Sequence, residues 1–461
     1  MTASLDGPSP DLAPERLEAL RAAVVRELPG VRRDLEYLVR IPSVSVGEAD
    51  QAPVDQSASA VATLLTEAGF ATDILVEGGR PAVVGHLPGP EGSPHVVLYA
   101  HHDVQPTGAV EHWTSPPFEP EERDGRLYGR GAADDKAGVM AHLCAVRAHD
   151  GAPPVSVTIF VEGEEEDGSP SLSAILERHR QRLAGHVLVL ADSLNWAIGQ
   201  PALTTSLRGL VECFVDVRTL DHPVHSGMFG GAVPDALMVL VRLLASTYDD
   251  GGNVAVEGIE SSEAAALDYP ESQLRADAGM LEGVQLIGSG PLTSRLWTHP
   301  TVTCTGIDVT STGQASNTLL AHVRAKISAR VAPGQKAIDV FEALRTHFLS
   351  QPAFGAKVEV SLKETGEGFA AHADGPAYDA ARRAFQDAWG VPPVDVGIGG
   401  SIPFIAEFAE FFPDAAILVT GVEDPDTRAH GIDESLHLGE FERVCVAETV
   451  LLERIAALGR A

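Results

Sequence analysis

Apolar positions recur at helical spacing in "LAPERLEALRAAVVRELPGVRRDLEYLVR", which predicts a long amphipathic helix near the start of the chain. A polar, Pro-rich leader of about ten residues comes before it. Short, nearly continuous apolar runs follow: "ATDILVEG", "AVVGHLP", "HVVLYAHHDV", "VSVTIFVEG", "HVLVLAD" and, much later, "AAILVTG". Runs of that length, separated by helical stretches such as Ala137–Asp150 and Pro170–Leu183, predict strands buried on both faces in an α/β unit. From about Leu207 the texture changes. A strand ("RGLVECFVDVRT"), a helix ("VPDALMVLVRLLAST"), two strands ("TVTCTGIDVTS", "HVRAKISARV"), a helix ("AIDVFEALRTHFL") and a strand ("AKVEVSLKE") give the β-α-β-β-α-β order of a ferredoxin-like α+β sandwich. The α/β texture returns with "YDAARRAFQDAWG", and the chain closes on the helix "LGEFERVCVAETVLLERIAAL". The pattern therefore predicts an α/β domain in two parts, residues 1–206 and 367–461, interrupted by a smaller domain over 207–366.

Composition narrows the function more than the fold. The 461 residues carry 33 Lys and Arg against 65 Asp and Glu, a net charge of −32. Such a charge repels a phosphate backbone, and no local basic patch offsets it, so nucleic acid is not an expected partner. No apolar run approaches the ~20 residues of a membrane span, and the first residues lack the basic and apolar regions of a signal peptide. The four cysteines, Cys144, Cys213, Cys304 and Cys445, are far apart and show no C-x-x-C spacing. They suit a reducing compartment and exclude a disulfide framework or a thiolate zinc site. The expectation is a cytoplasmic acidic enzyme.

The chemistry concentrates at strand ends. "YAHHDVQP" ends one apolar run with His101, His102 and Asp103; "EGEEEDGS" ends another with Glu162 to Asp167; "LADS" ends a third with Asp192. "GRGAADDKAG" holds Asp134 and Asp135 in a Gly turn before a helix. Taken singly, a Glu run reads as a solvated loop and a lone His as a packing or surface residue. Ligands of open α/β sheets bind at the carboxyl ends of strands, however, so these stretches are expected to meet in one cleft. Carboxylates gathered there repel one another unless cations neutralise them, and oxygen and imidazole donors without thiolates suit zinc, manganese or cobalt. The chain has no G-x-S-x-G elbow, no H-E-x-x-H helix, no phosphate-binding G-x-x-x-x-G-K-[ST] and no G-x-G-x-x-G.

In order along the chain, "YAHHDVQP", "GRGAADDKAG", "EGEEEDGS", "LADS", "HPVHSGMFGG", "ISARVAPGQ", "GGSIP" and "AHGIDES" resemble the di-zinc aminoacylase–carnosinase–glutamate carboxypeptidase metallopeptidases, and most of all their dipeptidase branch. The resemblance runs from about Leu12 to Arg460. It implies two divalent ions per subunit, zinc first, with manganese and cobalt as alternatives. The implied ligands are His101 and Asp192 for one ion, Glu166 and His430 for the other, and Asp134 bridging, with a cis peptide after it. It further implies Asp103 as the group orienting His101, Glu165 as general base and His225 as oxyanion donor. Arg330 with the Gly399–Ser401 turn, through Gly400 and Ser401, would receive a substrate carboxylate. In dimeric relatives the equivalent of His225 reaches the neighbouring subunit, so a homodimer through the inserted lid domain is expected. Asp at position 192 marks members acting on free amino termini. Two departures stand out: Gly397-Ile398 replaces a charged pair before "GGSIP", and "HGIDE" replaces "HSQNE". The leading expectation is a hydrolase of dipeptides or small peptides. A deacylase of N-acyl or N-carbamoyl amino acids and an acidic metal-binding protein that kept the fold are the alternatives.

Overall fold

The sheet that positions the acidic loops is built on the apolar runs. In the computed structural model, which describes residues 12–459 apart from 48–49, 265–266, 352, 372 and 401–402, the strands lie in the order Ala71–Leu75, Ala82–Leu87, Ser156–Glu162, His95–His101, Val187–Leu190, Ala416–Val419 and Ala202–Leu207. Ser156–Glu162, His95–His101, Val187–Leu190 and Ala416–Val419 run parallel, whereas the first two strands are antiparallel to their neighbours. Parallel strands need covered faces, which is why these four are apolar almost throughout. The register pairs His101 with Glu162, Tyr99 with Leu190 and Leu190 with Val419. Their carboxyl ends therefore lie side by side, and each loop beyond carries acidic or imidazole groups.

Helices Pro14–Val39, Lys136–Arg147 and Leu438–Leu458 share one hydrophobic core with this sheet. Lys136–Arg147 is buried on nearly every side (only Arg147 is not), as its largely small and apolar composition requires, and its two buried polar residues, Lys136 and His142, are hydrogen-bonded. Cys144 and Cys445 are free thiols packed within that core. The helix expected over Pro170–Leu183 is two shorter ones, Leu172–Arg178 and Arg180–Leu183, parted at His179. The leader lies outside the described residues.

The chain divides into two units, residues 1–205, 371–395 and 407–461 forming the first and residues 206–370 with 396–406 the second. In the second, the antiparallel strands Thr301–Asp308, His322–Val331, Gly209–Arg218 and Lys357–Gly366 stand in that order. Taken in sequence order, this is strand order 2-3-1-4, the split β-α-β arrangement that the alternating pattern predicts. Val211, Cys213, Val215 and Val217 face one side and pack with the helices Ala236–Ala245 and Ala337–Ser350. Among the described residues no helix is long and apolar enough to cross a membrane.

Candidate metal centre

The first unit gathers the expected ligands into two groups that share Asp134. His101, Asp134 and Asp192 form one; Asp134, Glu166 and His430 form the other; within each, one donor atom per residue lies within 4.8 Å of the rest. His101 Nε2 stands 3.1 Å from Asp134 Oδ1, and His430 Nε2 stands 3.0 Å from Asp134 Oδ2 and 3.2 Å from Glu166 Oε2. Local structure explains each placement. His101 is the last residue of its strand, Asp192 lies two residues beyond Val187–Leu190, and Asp134 sits just before the helix Lys136–Arg147, with a cis peptide to Asp135. Glu166 lies in a single helical turn, Glu165–Asp167.

Asp103 holds two of these pieces at once. Its carboxylate lies 3.4 Å from His101 Nδ1, accepts the Ser45 hydroxyl at 2.6 Å, and accepts the backbone N–H groups of Glu165 and Glu166 at 3.3 and 3.1 Å. A buried carboxylate behind the imidazole thus orients both the ring and the acidic turn. Glu165 belongs to neither three-donor group. In isolation the Glu run reads as a solvated loop, but here Glu162 and Glu164 are buried and Glu165 and Glu166 half-buried.

The electrostatics define what the site lacks. Burial, and then the neighbouring negative charges, push Asp192 up to about 7 and raise Glu165, Glu166 and Glu423 above the ordinary carboxylate range. Hydrogen bonds to Asp134 and Glu166 raise His430 to about 11. Carboxylates forced toward neutrality beside imidazoles forced toward the cation are an arrangement that positive charge would relieve. Two hard or borderline divalent ions fit this donor set, one imidazole and two carboxylates for each with Asp134 in common.

The other expected residues stand in the second unit. His225 is exposed, and its Nδ1 accepts the Gly227 N–H at 3.0 Å, capping a one-turn helix. Arg330 is half-buried near the end of the strand His322–Val331. Gly400 is half-buried, and Ser401 lies outside the described residues. Sequence reasoning missed Arg208, which donates to the Gly399 carbonyl at 2.9 Å and the His299 carbonyl at 3.1 Å. Burial and then the like charge of Arg330 lower it to about 10. The described histidines without motif support lie outside both groups. His102 contacts the Pro81 carbonyl, His322 pairs with Asp216, and His437 caps the last helix. His222 is exposed, and His372 lies outside the described residues.

An α/β sheet with two carboxylate–imidazole groups at its strand ends defines a metallohydrolase. Residues 97–454 match the model of peptidase family M20/M25/M40, and the chain belongs to that family of metallopeptidases. It is 36% identical over 367 residues to the cysteinylglycine-S-conjugate dipeptidase of Corynebacterium striatum, covering 78% of this chain and 81% of that one. It is 30% identical over 379 residues to the β-Ala-His dipeptidase of Rattus norvegicus, covering 77% and 76%. Among solved structures, human carnosine dipeptidase 1 superposes with a TM-score of 0.77 at 24% identity, over 97% of this chain and 100% of that one. The dipeptidase Dug1p of Saccharomyces cerevisiae does so at 0.76 and 22%, over 96% and 98%.

Proposed function

We propose that this metallopeptidase hydrolyses the peptide bond of dipeptides and similarly small peptides bearing a free amino terminus. The observation that carries the reading is the pair of three-donor groups meeting at Asp134, with Glu165 beside them and outside both. The dipeptidase activity of the relatives at 36% and 30% identity supports the substrate class. His101 and Asp192 would hold one ion, Glu166 and His430 the other, and Asp134 both; zinc is the first choice, manganese and cobalt the alternatives. Bound there, two divalent ions acidify a water and polarise the scissile carbonyl.

Each remaining task falls to a side chain. Glu165 takes the proton of the attacking water and returns it to the leaving amine. Asp103 keeps the His101 ring and the Glu165–Glu166 turn in register. His225 donates to the oxyanion, as preorganised donors do in acyl transfer. Arg330, with the turn of Gly400 and Ser401, receives the substrate carboxylate through a guanidinium fork and backbone N–H groups. The resemblance of the "HSGMFGG" loop to that of dimeric relatives supports a homodimer formed through the second unit, and the four free cysteines suit the reducing cytoplasm.

A hydrolysis screen tests the reading: a dipeptide library and its N-acetylated counterparts, each with zinc, manganese and cobalt. Free dipeptides should be cleaved in a metal-dependent way and the acetylated forms spared. Preference for the acetylated forms would make the enzyme a deacylase. Metal uptake with no turnover on either set would leave a binding protein.

A further inference from the structure

We propose that Arg130 and Glu434 form a clasp that positions the Asp134–Glu166–His430 group, and so set the affinity of that ion place in preference to the one at His101, Asp134 and Asp192. The inference rests on the metal-site reading above and concerns two residues with no role in it so far.

Glu434 is fully buried, and its carboxylate is surrounded by four donors. Oε2 accepts Arg130 Nη1 at 2.6 Å and the Gly131 N–H at 3.1 Å; Oε1 accepts the Ala133 and Asp134 N–H groups at 3.1 and 3.2 Å. Its own carbonyl accepts the Gly129 N–H at 3.0 Å. The antiparallel pairing of Ser435–His437 with Arg126–Tyr128 brings the two segments together. One carboxylate, four residues after His430, thereby holds the backbone of the loop that presents Asp134.

Arg130 extends the clasp to the other two ligands. Its Nη2 donates to the Gly431 carbonyl, next to His430, and to the Pro106 carbonyl, each at 3.2 Å. Pro106 follows Gln105, whose N–H and side-chain amide donate to the Glu166 carboxylate at 3.0 and 2.8 Å. The guanidinium is itself fixed, buried at 1% exposure with the Trp113 ring 5.5 Å away. Asp134, Glu166 and His430 are thus each one short step from a single buried ion pair.

The preference for one group follows from how the other is held. His101 ends a regular strand, where the ladder holds its backbone, and Asp192 lies two residues beyond another, next to Ala191, whose N–H still donates to the Tyr99 carbonyl at 3.0 Å. His430 lies on an irregular loop with left-handed backbone at Arg428, His430 and Asp433, and its side chain is 57% exposed. Besides the clasp, that loop is tethered by Asp433, which accepts the Thr114 N–H and hydroxyl at 2.9 and 2.8 Å. Groups that orient metal ligands change affinity by ~10–100-fold when removed.

The test is a metal titration, independent of turnover. Full-length wild type, Arg130→Lys, Glu434→Gln, His430→Ala and Asp192→Asn are stripped with a chelator. Each is titrated with Co²⁺ and with Zn²⁺ against a chromogenic competitor, and the melting temperature of every metal-free form is recorded. In wild type two binding steps are expected. In Arg130→Lys and Glu434→Gln one step weakens at least tenfold while the other stays within threefold. The weakened step should be the one that His430→Ala abolishes and Asp192→Asn leaves. Both steps unchanged, both weakened together, or the wrong step weakened would overturn the clasp. A metal-free variant already unfolded would overturn it too, by showing a role in the whole unit. Wild type that takes up fewer than two ions overturns the metal-site reading itself, before any substitution is considered.

Discussion

Replacing Glu165 with Gln changes one oxygen to nitrogen at a side chain that the reading assigns to proton transfer alone. The structure makes this substitution clean. Glu165 lies outside both three-donor groups, and its bond to Asp103 runs from the backbone N–H, which Gln keeps. Metal content and fold should therefore be unchanged. In the metal-free chain, burial and the negative charge of Asp192 raise the Glu165 carboxyl. General-base catalysis is worth ~10²–10⁴ in rate, or ~3–5 kcal/mol of barrier. A fall in kcat of that size is expected, with KM moving by no more than a few-fold. The assay is steady-state hydrolysis of the best dipeptide, with bound metal measured on the same sample. A fall in kcat of less than tenfold at full metal occupancy would refute the assignment. So would a loss of metal large enough to account for the lost activity.

Asp134→Asn should weaken uptake of both ions and Asp192→Asn that of one, as read by elemental analysis after dialysis, because only Asp134 belongs to both groups. A second expectation concerns acid stability. His95 contacts the Thr158 hydroxyl at 2.8 Å, and burial followed by the charges of His86 and His186 lowers it from 6.5 to about 4. The fold therefore holds it neutral, so its contribution is complete above pH 6.5 and is lost as the pH falls from there through about 4. A depression of that size corresponds to about 3 kcal/mol. His95→Gln should flatten the acid limb of a melting-temperature profile between pH 6.5 and 4, and an unchanged slope would count against the assignment.

Local pattern was enough for most elements and for the stretches that carry the candidate ligands. Nearly continuous apolar runs of five to eight residues suit strands covered on both faces, and the alternation in "RGLVECFVDVRT" suits a strand buried on one. The rule that ligands gather at strand ends pointed to the stretches His101–Asp103, Glu162–Asp167 and Asp192, and a Gly turn marked Asp134 and Asp135; the resemblance picked the candidate ligands from among them. The sequence-level resemblance supplied His430, which no periodicity marks. Tertiary structure decided what depends on distant contacts. The stretch Pro170–Leu183 is continuous in pattern yet breaks at His179, whose ring pairs with Glu77 at 2.9 Å, a residue remote in sequence. The Glu run looks solvated until the sheet places Asp103 beneath it and Ser171 and Arg80 donate their backbone N–H groups to Glu164 at 2.7 and 2.8 Å. Arg130, Glu434 and Gln105 stand inside the very motifs that carry the ligands, but nothing in their spacing says that they bond to one another's loops. A hydrogen bond between residues 130 and 434 is a consequence of strand pairing, and pairing is a property of the folded chain rather than of any window along it.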